Sequence, residues 1–166
     1  MKTVAGLMLA LVLGYGICQA QVEVVIADRL VRAVGDSRPA LRDSTGQLIC
    51  MPGDELEYLL TATNQGDQSV LGVELVDPIP EGTHYVLDSA EGAGLQVLCS
   101  ADQGDTYAEP PLRYSVKQSD GAMVEEARPS DQYTHIKWVA LDPLPPGEVL
   151  VASLRVRVVG APPAPR

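Results

Sequence analysis

At 166 residues, with 46% hydrophobic and 20% charged residues, the chain has the composition of one ordinary globular domain and not of a disordered segment. Twelve Lys and Arg against 22 Asp and Glu leave a net charge of −10, which excludes nucleic acid and anionic membrane surfaces as partners, since both demand basic patches. With one Trp, six Tyr and no Phe, any core must be built mainly from aliphatic side chains.

The first element is an address. Lys2 precedes an apolar run from Val4 to Ile17, and Cys18-Gln19-Ala20 sets small residues before a cut between Ala20 and Gln21. This is the three-part layout of a secretory signal, and the run is too short for a comfortable membrane span. Ile17 stands where a lipidated cysteine would need a small residue, so a lipoprotein is rejected. The expectation is an exported protein, periplasmic or extracellular, with no membrane attachment after cleavage. Residues 1–20 are the signal, 21–159 the domain, and 160–166 a Pro-rich tail of polyproline character.

Cys50 and Cys99 then remain in an oxidising compartment. A bridge would close a loop of about 50 residues, worth roughly 3–4 kcal/mol in the chain-entropy model. Two buried thiols acting as small hydrophobes fit the same residues, and the sequence leaves both open. There is no CxxC, and His84 and His135 lie far apart, so no zinc framework is visible.

Strands follow almost throughout. Val22, Val24, Ile26, Leu30 and Val34 share one parity, which predicts a long first strand with an interruption near Asp28. Pro52-Gly53 occupies the centre of a type II turn ahead of the clean alternation Leu56, Tyr58, Leu60, Ala62. Asn64-Gln65-Gly66-Asp67 predicts a hairpin into Val70–Val76. Asp77-Pro78-Ile79-Pro80-Glu81-Gly82 cannot be central strand, because each proline lacks a ladder donor, so it should cross between sheets or run along an edge. Tyr85–Leu87, Leu95–Ser100 and Leu112–Val116 read as further strands. Ser119–Asp131 reads as a long acidic loop, with a helical turn over Ala122–Ala127 as its alternative. Ile136, Trp138 and Ala140 share a face, as do Leu150, Ala152, Leu154, Val156 and Val158 after a turn at Asp142–Gly147. About eight short strands at this spacing predict an all-β, immunoglobulin-like antiparallel sandwich with Trp138 at its centre.

Several of these segments resemble a known module. Pro52-Gly53-Asp54-Glu55-Leu56-Glu57-Tyr58 and Thr61 to Asp67 are similar to the opening of the conserved-repeat module called domain of unknown function 11, and Val73-Glu74-Leu75-Val76-Asp77-Pro78-Ile79-Pro80-Glu81-Gly82-Thr83-His84-Tyr85 resembles that module's most recognisable segment. Ser100 to Tyr107 resembles the S-x-D-G-G-x-T-[FY] turn of its short exported bacterial members. Tyr133-Thr134-His135-Ile136-Lys137-Trp138 and Leu144-Pro145-Pro146-Gly147 resemble their closing Y-T-H-I-R-W … L-x-P-G pattern. The likeness spans about Val22 to Val159. It implies an immunoglobulin-like sandwich on secreted or envelope-attached bacterial proteins, with no catalytic activity assigned. The chain carries one copy of the module, where many relatives carry tandem arrays, and the two cysteines lie outside the pattern.

The motif residues also have structural work of their own. Gly53, Gly66, Gly82 and Gly147 sit where turns want positive φ. Asp54 and Asp77 can accept backbone N–H bonds in adjacent turns, and Pro78 and Pro80 stiffen a crossover and blunt an edge. Glu125-Glu126 could be half of a glycosidase pair, but neighbours on an extended chain point to opposite sides. His84 and His135 have no companion at triad spacing, and neither G-x-S-x-G nor a phosphate-binding GxGxxG is present. No catalytic residue and no cofactor site is therefore assigned. Asp102 and Asp105, with Asp77 or Glu109, are weak calcium candidates if their loops converge. The expected role is structural or protein-interacting, with an envelope or secreted protein as partner and the protein itself a monomer. A calcium- or saccharide-binding accessory domain is the second reading. A filament subunit, with Val22–Val34 pairing in trans, is the third.

Overall fold

The computed structural model describes residues 22–32, 42–46 and 48–159. The predicted signal and its Ala20/Gln21 cut, Val34, and the 160–166 tail lie outside them. Among the described residues the chain is all-β, with every strand pairing antiparallel.

Alternation builds the first sheet. Leu56, Leu60 and Ala62 are buried along β2 (Glu55–Asn64), and Ala152, Leu154, Val156 and Val158 are buried along β9 (Val149–Val158). The two strands lie side by side over nine paired positions, Glu55 opposite Arg157 through Thr63 opposite Val149. β1 (Val22–Arg32) covers the far side of β2, and β4 (Thr83–Tyr85) the far side of β9, giving the order β1-β2-β9-β4. The second sheet has the order β3-β8-β5, from Glu74–Pro78, His135–Ala140 and Leu95–Ser100. One hydrophobic cluster joins both sheets: Leu56, Leu60, Leu154 and Val156 on one side, Leu75, Cys99, Ile136 and Trp138 on the other. Trp138 is fully buried in it, at the middle of the central strand of its sheet. Tyr85 and Tyr133 stack 5.3 Å apart at the edge of this core. Their hydroxyls accept the N–H groups of Ala90 and Leu112, which pins two loops to the core.

Four expectations are corrected. β1 runs without a break through Asp28, whose carboxylate and carbonyl both meet Arg42; the irregularity in pairing falls between Leu30 and Arg32. Asn64–Asp67 does not make a hairpin. β9 takes the edge of β2 that the next strand would have used, so the chain leaves for the other sheet and β3 pairs with β8. Ser119–Asp131 is neither loop nor α-helix. β7 (Met123–Ala127) pairs with β6 (Arg113–Lys117) around a turn at Gly121, followed by a single 3-10 turn at Ser130–Gln132. The described strands therefore number nine, against about eight expected.

The prolines behave as their chemistry requires. Pro78 ends the edge strand β3, and the chain crosses from there to β4 in the other sheet. Gly53 has φ +92 behind Pro52, and Asp54 N–H bonds the Met51 carbonyl at 3.0 Å, which completes the type II turn. Gly82 and Gly147 are also at positive φ, but Gly66 is not; its N–H is held instead by the Asn64 side chain at 2.9 Å.

Asn64 is the knot at this end of the molecule. Fully buried, it donates from Nδ2 to the carbonyls of Gln68 (2.7 Å) and Leu144 (2.9 Å). Its backbone bonds Glu148 and Gly147. Asn64→Ala removes both donations and the acceptor of the Gly66 N–H, while the Leu144 carbonyl keeps the Val70 N–H, so a loss of about 1–3 kcal/mol is expected. Urea denaturation checks it: a midpoint within error of the wild type would show the knot to be dispensable.

Candidate functional site

Polar side chains gather at two places, the outer face of β5 and β8 and the core side of β3. The first is the turn after β5. Ser100 lies directly opposite His135 across the β5–β8 ladder, and the chain from Ala101 to Tyr107 folds back over them. With Asp102 beside them, this brings a serine, a histidine and an aspartate together. The bonding decides what they can do. Ser100 Oγ donates to Asp102 Oδ1 (2.7 Å) and accepts the N–H groups of Gly104 (2.9 Å) and Asp102 (3.2 Å). The hydroxyl is consumed by its own turn and is not presented to the imidazole. His135 Nδ1 is buried with no hydrogen-bond partner, and burial lowers the imidazole pKa against the opposing pull of Asp102. A nucleophile needs a base within hydrogen-bond reach and that base needs an orienting group; here neither link is made.

The same bonding bears on calcium. The Asp102 carboxylate takes the hydroxyl and the N–H of Thr106 as well as the Ser100 hydroxyl, and these bonds push its pKa down to about 2. Both of its oxygens are thus occupied within the turn, while Asp105 is exposed beside it. Among the described residues no three His, Cys, Asp or Glu side chains come together as a metal site. Millimolar calcium, added with and without chelator, is therefore expected to move the melting temperature by less than about 1 °C.

Beyond the turn, the outer face of this sheet carries Lys137, which bonds Glu74 at 3.0 Å and lies 4.3 Å from the centre of the Tyr107 ring. Gly104 keeps the turn close to this cluster: a Cβ there would sit 3.0 Å from the Tyr107 hydroxyl and 3.7 Å from the His135 ring.

The second place was missed by the reading of the sequence. Asp77 does not accept a turn N–H. It points inward from β3, is fully buried, and neither of its oxygens has a hydrogen-bond partner. Burial alone pushes its pKa up to about 7. On β8 it faces Ile136, and Trp138, whose Nε1 is likewise buried without a partner, is the next inward residue. Parity gives the signal that could have found it, because Leu75 and Asp77 share the inward face. Asp54, by contrast, does close its turn, accepting the Met51 N–H at 2.7 Å.

No disulfide joins Cys50 and Cys99. Cys99 points from β5 into the core, fully buried, with its thiol pKa pushed up to about 12 by burial. Cys50 is half-buried at the approach to β2, its Sγ 3.7 Å from the Leu48 carbonyl. A thiol reagent at neutral pH should label Cys50 in the native protein and Cys99 only after unfolding, read by peptide mass; native labelling of Cys99 would contradict its burial. Glu125 and Glu126 lie exposed on β7, and His84 on β4 opposite Arg157, apart from both polar clusters.

No family model, curated protein or solved structure matches this chain.

Proposed function

We propose that this chain is a small exported, non-catalytic module with an immunoglobulin-like sandwich fold, acting as a structural or protein-interaction unit of the bacterial envelope or periplasm. The observation that carries this reading is the bonding of the turn over His135. Among the described residues, the grouping of serine, histidine and aspartate that has the residue types of a hydrolytic site spends its serine hydroxyl and its carboxylate on holding the turn shut. Two facing sheets sharing one core support the sandwich. The signal layout before Gln21 supports export, and the motifs from Pro52 to Gly147 support kinship with the conserved-repeat module.

The test has two arms. Expressed from its own gene in a bacterium, the mature protein should appear outside the cytoplasm with Gln21 as its first residue by mass spectrometry. Photo-crosslinking in the envelope of the producing cell should then trap a protein partner. An intact chain retained in the cytoplasm would sink the export reading, and serine-hydrolase probes labelling Ser100 would sink the non-catalytic one.

A further inference from the structure

We propose that β1 is a self-recognition edge, through which two copies of this chain pair antiparallel about a two-fold axis and join their four-stranded sheets into one. The proposal rests on the reading of the chain as an interaction module and names a second copy as its partner.

The sheet edges are unequal. β4 offers three residues, and β3 offers five and ends on Pro78. On β5, Cys99 already exchanges both backbone bonds with Ala108, at 2.8 and 3.0 Å. β1 is an edge strand of 11 residues without proline, and no strand of the described residues lies on its outer side. Soluble proteins ordinarily shorten, interrupt or cover such an edge, because its unpaired N–H and C=O groups template another strand. From Val22 to Ala27 the segment carries one charge, on Glu23.

The surface beside the edge is apolar as well. On the outward face, Val25 lies in line with Thr61 and Val151, and Ala27 with Leu59. Val25 is 55% exposed, and Leu59, Val149 and Val151 are also open to solvent. Beyond this patch lies a charged row in which Glu57 stands between Arg29 and Arg155.

Charge and parity select the register. A two-fold axis perpendicular to the sheet keeps outward faces outward, so odd positions must meet odd positions. Centred on Ile26, the pairing sets Glu23 opposite the partner's Arg29, twice by symmetry, and Val25 opposite the partner's Ala27. A shift of two residues in either direction sets Glu23 against Ala27 or Val31 and loses both charge pairs. Arg29 already holds Glu57, and its five N–H donors allow a second carboxylate. Asp28 enters this pairing opposite Val24; Arg42 holds its carboxylate at 3.4 Å and already bonds its outward carbonyl at 3.0 Å, so that carbonyl has one lone pair left for the partner's Val24 N–H. Such an interface closes on itself, so the product is a dimer and not a filament.

Sedimentation equilibrium of the purified protein over about 5–500 µM should show a monomer–dimer equilibrium, since an edge-pairing interface lies at the small, weak end of the size range. Val25→Lys places two ammonium groups beside each other across the axis and should raise the dissociation constant at least tenfold, with an unchanged melting temperature for the monomer. Chains carrying Val25→Cys mixed with chains carrying Ala27→Cys should cross-link faster than either variant by itself. A wild-type monomer at 500 µM, an undisturbed Val25→Lys dimer, or faster cross-linking of Val25→Cys to itself would each overturn the proposal. If the monomer still cross-links to a different protein in the envelope, self-pairing has failed while the interaction reading stands.

Discussion

Acidification from pH 8 to pH 5 is expected to stabilise this protein because of Asp77. The folded state holds the Asp77 proton up to about pH 7, whereas the ordinary value is 3.8. A carboxyl group with a raised folded-state pKa leaves stability intact while it is protonated in both states. The unfolded chain gives up its proton first as pH rises, so stability falls through the window from about 4 to about 7 and levels off above it. The shift corresponds to about 4 kcal/mol, or roughly 10 °C in melting temperature for a domain of this size. The surroundings give the charged form no relief. Both oxygens lack hydrogen bonds, and the nearby Tyr58 phenol has its own pKa raised, by burial first and then by the charges of Asp28, Asp77 and Cys50. Asp77→Asn should therefore melt higher than the wild type at pH 8 and lose most of the advantage at pH 4.5. Scanning calorimetry at those two values decides it: equal melting temperatures for wild type and variant at pH 8 would show that Asp77 is relieved by something other than protonation.

Trp138→Ala should cost about 3–5 kcal/mol, the range for removing a buried aromatic from a packed core. That is a large part of the 5–15 kcal/mol available to a domain of this kind. Trp138 is fully buried on the middle strand of its sheet, between β3 and β5, and reaches the core shared with Leu60 and Leu154. Because it belongs to both layers' packing, its loss should loosen the contact between sheets as well as the strand itself. Circular dichroism followed in urea measures this; a midpoint shift equivalent to less than about 1 kcal/mol would place the mechanical centre elsewhere.

Much of this architecture could be read from residues, and the reasons are specific. β2, β8 and β9 each have one face against the core and one against water, so Leu56–Ala62, Ile136–Trp138 and Leu150–Val158 alternate plainly. β7 has every side chain exposed, so it writes no alternation and passed for a loop. Asn64–Asp67 suits a hairpin and a sheet change equally. What decides between them is β9, about 90 residues away, and its stronger claim to the edge of β2. Asp77 looked like another turn acceptor because a proline follows it, and its inward parity was the overlooked clue. The cysteines were open on sequence alone, because separation along the chain says nothing about the approach of two Cβ atoms.

β9, the last strand of the described residues, stands at the centre of the larger sheet, between β2 and β4. β2 can pair with β1 beforehand, but neither β2 nor β4 can close its ladder to the centre until residues 149–158 are in place. Loss of even a few residues from β9 would split the sheet through its middle instead of trimming its rim. Folding waits on a long-range closure, and the rate is set by that search and not by any local hairpin.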